Sequence, residues 1–201
     1  VSGRSGGLGS PADRAYLRES RAVADALLVG TATLRAERYG NVLDSEHVEQ
    51  RRAAGLPDAP PVVTICRDLR RLPVDEARIF AEDGAPVVVF TESAADEVPD
   101  PQVAAALTVV RAGRLSPAAV MVRLHDDGAR LVVTEGGPTL LRLFLGAGLV
   151  DDILLTVAPF LVAGGGPTLV DGTELDPPVG LELSHLARAG DHLFAHYEVS
   201  R

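Results

Sequence analysis

A single cysteine, Cys66, stands among 201 residues that include no tryptophan, one methionine, three tyrosines and five phenylalanines. One thiol excludes an internal disulfide and a thiolate metal cluster. It reads as a small buried hydrophobe on a strand rather than a nucleophile. The 4% aromatic content leaves little for stacking nucleic-acid bases. Positive charge is also scarce: 19 Lys and Arg face 28 Asp and Glu, for a formal net charge of −9. The basic residues are scattered, with Arg51-Arg52 and Arg70-Arg71 as isolated pairs. A duplex or membrane-surface binder presents a basic face, so neither nucleic acid nor membrane is expected as a partner. The longest apolar stretches, such as 153–163, fall well short of the ~20 residues that a bilayer-spanning helix needs. His192 and His196 could share a strand face, but no third ligand lies near them in sequence, and no metal is expected. No Gly-x-Ser-x-Gly elbow is present. A cytoplasmic setting is expected.

What is present is apolar residues, 46% of the chain, enough to bury a core in one sizeable domain. The chain opens at Val1 on loop chemistry, Ser2-Gly3-Arg4-Ser5-Gly6-Gly7-Leu8-Gly9. We expect something to be missing upstream of it. Ser10-Pro11-Ala12-Asp13 carries a helix start: a capping serine, a proline suited to the first turn, and an acid at the capping-box position. A short buried strand is expected over 25–30, a helical turn over 31–37 and a helix over 45–54. Strands follow over 62–66 and 86–91, with an acidic loop over 92–101. A strand over 107–111, a helix over 117–125, a strand over 131–134 and a helix over 138–145 come next. Residues 149–162 are strand-rich, and 181–188 and 193–199 alternate as an antiparallel pair. Strands alternating with helices predict an α/β domain with a mostly parallel sheet flanked by helices, ending in an antiparallel C-terminal edge strand.

Three segments could carry chemistry. In Thr134-Glu135-Gly136-Gly137-Pro138-Thr139-Leu140 a strand ends in paired glycines and a helix begins at once. Glycines admit a ligand close to the backbone, and a helix N-terminus offers unpaired N–H groups to an anion. A tight turn without a ligand accounts for the same residues equally well. Glu135 is unusual beside a phosphate and suits a hydroxyl or an amide better. In Gly30-Thr31-Ala32-Thr33-Leu34-Arg35-Ala36-Glu37 a second strand ends in glycine and small hydroxyl residues. Thr31 and Thr33 could meet phosphate or ribose and Arg35 a phosphate, or Thr31 could simply cap the helix. The segment lacks both the three-glycine dinucleotide fingerprint and a P-loop lysine. In Ala163-Gly164-Gly165-Gly166-Pro167 a glycine run follows a strand, as a plain turn or as backbone lining a cleft.

In this order the segments resemble the reductase domain of riboflavin biosynthesis, the C-terminal half of a bifunctional deaminase-reductase with the dihydrofolate reductase fold. Ala24-Asp25-Ala26-Leu27-Leu28-Val29-Gly30-Thr31-Ala32-Thr33-Leu34-Arg35-Ala36-Glu37, the Thr134–Leu140 segment quoted above, Gly148-Leu149-Val150-Asp151-Asp152 and Ala158-Pro159-Phe160-Leu161-Val162-Ala163-Gly164-Gly165 carry the resemblance. It implies NADPH at the carboxyl edge of the sheet, with Gly30, Thr31, Thr33 and Glu37 on the cofactor side of the cleft. Glu135, Gly136, Gly137, Pro138, Thr139, Leu140 and Gly164 would line its phosphates and ribose. It also implies a phosphorylated pyrimidine as substrate, reduction of a ribosylaminopyrimidine 5′-phosphate to its ribitylamino form, a homodimer, and a first strand that is missing ahead of the loop Val1 to Gly9. No motif singles out the proton donor. Where such reductases carry Gly-x-Gly-Thr and Ala-Asp-Asp-Pro, this chain has Gly30-Thr31-Ala32-Thr33 and Ala36-Glu37-Arg38-Tyr39. Two other readings stay open: a reductase of a pterin-like substrate on the same scaffold, and a nucleotide-binding or dimerising domain without catalysis.

Overall fold

Short, almost wholly apolar strands joined by helices build a parallel sheet. In the computed structural model, residues 7–81, 85–93, 98, 100–163, 166 and 168–200 are described. The chain divides into two units, Leu17–Gly137 and Val1–Tyr16 with Pro138–Arg201.

The first unit holds β1 (Ala26–Leu28), α2 (Thr31–Ala36), α3 (Ser45–Ala53), β2 (Val62–Ile65), β3 (Val87–Thr91), α4 (Pro101–Ala106), β4 (Leu107–Arg111), α5 (Pro117–Asp126) and β5 (Val132–Thr134). The helix before them, α1 (Pro11–Val23), ends in it. The five strands lie in the order β4-β3-β2-β1-β5, and every pairing is parallel. Ala26, Leu27, Leu28, Val62, Val63 and Val89 are fully buried, as strands covered on both faces require. Leu34, Leu69, Ile79 and Phe80 complete that core.

Polar side chains set the ends of these elements. Asp44 accepts from the His47 amide at the start of α3, Asp100 from Gln102 at α4, and Ser116 from Ala119 at α5. Asp25 ties the starts of β1 and β5 together, accepting from the amides of Arg130 at 2.7 Å and Leu131 at 2.8 Å. Those two bonds hold its carboxyl below the ordinary carboxylate range. Arg51 on α3 is 2% exposed, and its guanidinium donates to the carbonyls of Pro57, Ala22 and Ala24. It thereby satisfies carbonyls at the C-terminal end of α1 that the helix leaves unpaired.

In the second unit, the Ser10 hydroxyl accepts from the Asp13 amide at 3.1 Å, the expected cap of α1. Helix α6 (Pro138–Gly146) is followed by β6 (Asp152–Val157), β7 (Leu181–Ala189) and β8 (His192–Val199). These three strands form an antiparallel sheet in the order β6-β8-β7. A two-residue turn, Gly190-Asp191, joins β7 to β8, with Gly190 at φ 60°. The Tyr16 ring meets Phe194 edge-on at 5.6 Å.

Element positions follow the sequence closely, with two corrections. Residues 92–101, expected as loop, end in the start of α4 at Pro101, because Asp100 caps it and Pro101 suits its first turn. The strand-rich stretch 149–162 pairs only over Asp152–Val157. The antiparallel pair expected over 181–199 gains β6 as a third strand. The opening loop to Gly6, Gly164-Gly165 and Pro167 lie outside the described residues. No helix among the described residues is long and apolar enough to cross a membrane.

Candidate functional site

The strand order has one reversal. From β1 the chain winds outward through β2, β3 and β4, then returns to place β5 on the other side of β1. At such a switch point the connections leave their strands in opposite directions, and a crevice opens at the carboxyl ends of the two central strands. Here those ends are Leu28 and Thr134, which are register partners. Two of the three glycine segments singled out in the sequence therefore meet, although 106 residues separate their strands.

The meeting is backbone to backbone. The Gly30 N–H donates to the Gly136 carbonyl at 2.8 Å, and the Glu135 N–H to the Leu28 carbonyl at 3.1 Å. The Thr134 hydroxyl donates to the Leu28 carbonyl at 3.1 Å and accepts from the Gly136 N–H at 3.3 Å. A Cβ at Gly30 would lie 3.4 Å from the Gly136 oxygen, and one at Gly137 only 2.9 Å from the Thr33 hydroxyl oxygen. Gly136 sits at φ 76°, the left-handed region that glycine adopts freely, with open space where a Cβ would be. The Gly136-Gly137 peptide is cis. Of the three glycines, only Gly136 has open space at its Cβ position.

Thr31 is the first residue of α2, and its hydroxyl does not cap the helix: Gly30 is the N-cap, with no side-chain bond to it. Thr31 and Thr33 are half-buried, while Glu37 is exposed just past the end of α2. Arg35 points its guanidinium to Glu76 at 3.1 Å and to the Arg71 carbonyl at 3.4 Å. Pro138, Thr139 and Leu140 form the first turn of α6, with Thr139 exposed and Leu140 buried. Gly164 lies outside the described residues.

Glu135 has a partner that sequence reading missed. Arg21 near the end of α1 grips it bidentately, Nε to Oε1 at 2.5 Å and Nη2 to Oε2 at 2.7 Å. Both side chains are largely buried, 15% and 10% exposed. The third Arg21 donor reaches the Val42 carbonyl at 3.2 Å, and the guanidinium carbon lies 5.2 Å from the Tyr39 ring centre. Burial opposes the Arg21 charge, but the hydrogen bonds and charge of Glu135 outweigh it and raise the guanidinium above its ordinary value. Burial first, then the Glu135 charge, pushes the Tyr39 phenol well up, so it stays protonated. The single signal in the sequence was that an acid stood where a phosphate seat was expected.

The remaining candidates have partners of their own. Burial pushes the Cys66 thiol up, and its Sγ donates to the Asp68 carbonyl, the setting of an inert thiol. His196 Nε2 lies 2.7 Å from Asp152 Oδ1 across the β6–β8 pair, and His192 Nε2 lies 3.2 Å from the Leu8 carbonyl.

A parallel sheet with a glycine-lined switch point defines an α/β domain of the kind that takes a nucleotide at its carboxyl edge. The chain belongs to the family of the RibD C-terminal domain, whose model matches residues 1–194. It is 30% identical over 192 residues to the 2,5-diamino-6-ribosylamino-4(3H)-pyrimidinone 5′-phosphate reductase of Methanothermobacter thermautotrophicus, covering 93% of this chain and 85% of that one. It is 33% identical over 171 residues to the riboflavin biosynthesis protein RibD of Mycobacterium tuberculosis H37Rv, covering 84% of this chain but 40% of that longer protein. Among solved structures, a pyrimidine reductase-like protein of Corynebacterium diphtheriae superposes with a TM-score of 0.75 at 25% identity, covering 100% of this chain and 86% of that one. The fold is the dihydrofolate reductase-like fold of the RibD reductase domains. Reductases of this family use a nicotinamide cofactor.

Proposed function

We propose that this chain reduces a ribosylaminopyrimidine 5′-phosphate to its ribitylamino form in riboflavin biosynthesis, using NADPH. The observation that carries the site is the Gly30–Gly136 hydrogen bond, which brings two glycine-ended strands together at the switch point. The turn fits a dinucleotide: a Cβ at Gly137 would crowd Thr33, and Gly136 leaves its surroundings open. The names of the relatives supply the substrate class.

In this reading, Gly30, Gly136, Gly137, Pro138, Thr139 and Leu140 offer backbone to the cofactor's phosphates, which suits a chain of formal net charge −9. Thr31, Thr33 and Glu37 offer hydroxyl and carboxylate partners to its ribose groups. Glu135 acts through the turn that it begins. When bound, the cofactor would supply the hydride that reaches C1 of the ring-opened, imine-like sugar, and an acid would supply the proton that the imine nitrogen or sugar oxygen takes up. The protein's contribution is to hold donor and acceptor carbons in contact and to exclude water.

We also propose a homodimer in the cytoplasm. Rows Ile153, Tyr197 and Leu183, then Leu155, Ala195 and Leu186, put apolar side chains on one face of the antiparallel sheet. Leu183 and Leu186 on that face are more than half exposed, a patch of the kind that a second copy covers. Sedimentation at several concentrations tests this.

The decisive test has two stages. Thermal melts with NADPH and with NADH should show a larger rise for NADPH, because a ligand that binds only the native state raises its melting temperature. Loss of NADPH absorbance should then follow addition of the diamino-pyrimidinone or the amino-uracil ribosyl phosphate. Binding without turnover of either would favour a non-catalytic nucleotide-binding domain, and turnover of a dihydropterin instead would move the substrate.

A further inference from the structure

We propose that Arg21 is a positioning residue for the Gly136-Gly137 turn, so that cofactor affinity depends on it although it is no part of the turn. The inference rests on the reading that this turn seats the nicotinamide cofactor.

Glycines that open the turn to a ligand also deprive it of side-chain packing. Gly136 has nothing within 4 Å of its Cβ position. The shape of the turn therefore rests on a few tethers. Three are local to the ends of β1 and β5: Gly30 N–H to Gly136 O, Glu135 N–H to Leu28 O, and Gly136 N–H to the Thr134 hydroxyl. The fourth is the Glu135 side chain, held on both oxygens by Arg21. Glu135 is thus pinned at its amide and at its carboxylate, and the next residue is Gly136 at φ 76°. Arg21 is itself fixed: one donor is committed to the Val42 carbonyl, and its plane lies against Tyr39.

Removing Arg21 would strand a carboxylate that is 10% exposed. A buried charge without its partner must reach water or take up a proton. Either way the Glu135 side chain moves, and the turn that follows loses its tether to α1. If the pair were only a staple between α1 and the sheet, the loss would appear in stability and nowhere else. A turn held by the pair would also lose its fit to the cofactor, because small misplacements of a binding element are costly.

Four proteins separate these cases: the unaltered chain, Arg21→Lys, Arg21→Met and, as a control, Arg51→Lys. Arg51 is buried and structural but touches no residue of the turn. Each is titrated with NADPH by calorimetry, at a temperature where circular dichroism shows it folded. Arg21→Met should raise the Kd roughly ten- to a hundredfold. Arg21→Lys, which keeps the charge but cannot grip both oxygens, should fall between. Arg51→Lys should melt lower with its Kd unchanged. A Kd within about twofold of the unaltered chain for Arg21→Met would overturn the proposal. So would an equal loss of affinity in Arg51→Lys. Should Arg21→Met fail to fold, Arg21→Lys carries the test against the same limits. If the unaltered chain binds neither NADPH nor NADH, the cofactor reading falls, and the positioning role with it.

Discussion

The amide of Gly30 donates to the carbonyl of Gly136 over 2.8 Å, so the two strand-ending turns of this protein share a hydrogen bond. Gly137, one residue on, comes within reach of Thr33 on α2. Any side chain added at Gly137 must displace the Thr33 hydroxyl or swing the turn.

Gly137→Val is the direct probe of that geometry. We expect NADPH affinity to fall by roughly tenfold or more. Crowding of this one contact should cost about 1–2 kcal/mol of stability, leaving the core folded. Calorimetric titration beside a urea melt measures both, and unchanged affinity would remove the turn from the site.

Glu37 follows α2 on the exposed side of the same region. Glu37→Ala should weaken NADPH or substrate binding while stability moves by no more than about 0.5 kcal/mol, the usual range for an exposed position. A large drop in melting temperature without ligand would assign the residue a structural role.

Arg51 should matter to stability alone. Its guanidinium serves three carbonyls from within the protein. Arg51→Met keeps much of the apolar stem but leaves those oxygens unpaired, at about 1 kcal/mol or more each. A loss of about 3 kcal/mol in denaturant unfolding is expected, with NADPH affinity retained.

His47 makes stability depend on pH. Its buried ring lies 2.5 Å from Asp44 through Nδ1 and 3.4 Å from Glu19 through Nε2, while Arg18 stands 3.6 Å from Asp44. The Asp44 hydrogen bond outweighs burial and raises the imidazole above its ordinary 6.5. A raised folded value means that the charged ring stabilises the fold fully below about 6.5, and that this contribution fades as pH climbs through the folded value. Asp44 runs the other way. The hydrogen bond from His47 lowers it below its ordinary 3.8, so its contribution is present above that value and fades as pH falls through the lowered one. The melting-temperature gap between the unaltered chain and His47→Ala should therefore narrow as pH is taken from 6 to 9. A gap that is flat across that range would show that the fold leaves the ring's titration unshifted, and a gap that widens would show that the ring is held neutral in the fold.

The sequence by itself determined the local structure. The apolar runs that became β1, β2 and β3, the Ser10-Pro11 and Ser116-Pro117 helix starts, and the Gly190-Asp191 hairpin are set by neighbouring residues through burial, capping and turn geometry. The glycines of the site were legible for the same reason, since a strand that ends in glycine before a helix is a short-range pattern. Where a local signal was overlooked, as with Asp100-Pro101 before α4, its residues were there to be weighed. Only the tertiary structure decided which turns meet. The sheet order makes β1 and β5 neighbours, Asp25 reaches the start of β5, and Arg21 closes on Glu135 across 114 positions. These are contacts between charges and backbone groups far apart in the chain, and neither periodicity nor propensity carries the distance between them. A lone Glu135 in a glycine turn reads as a ligand-binding acid. Only the folded chain shows that both its oxygens are already held.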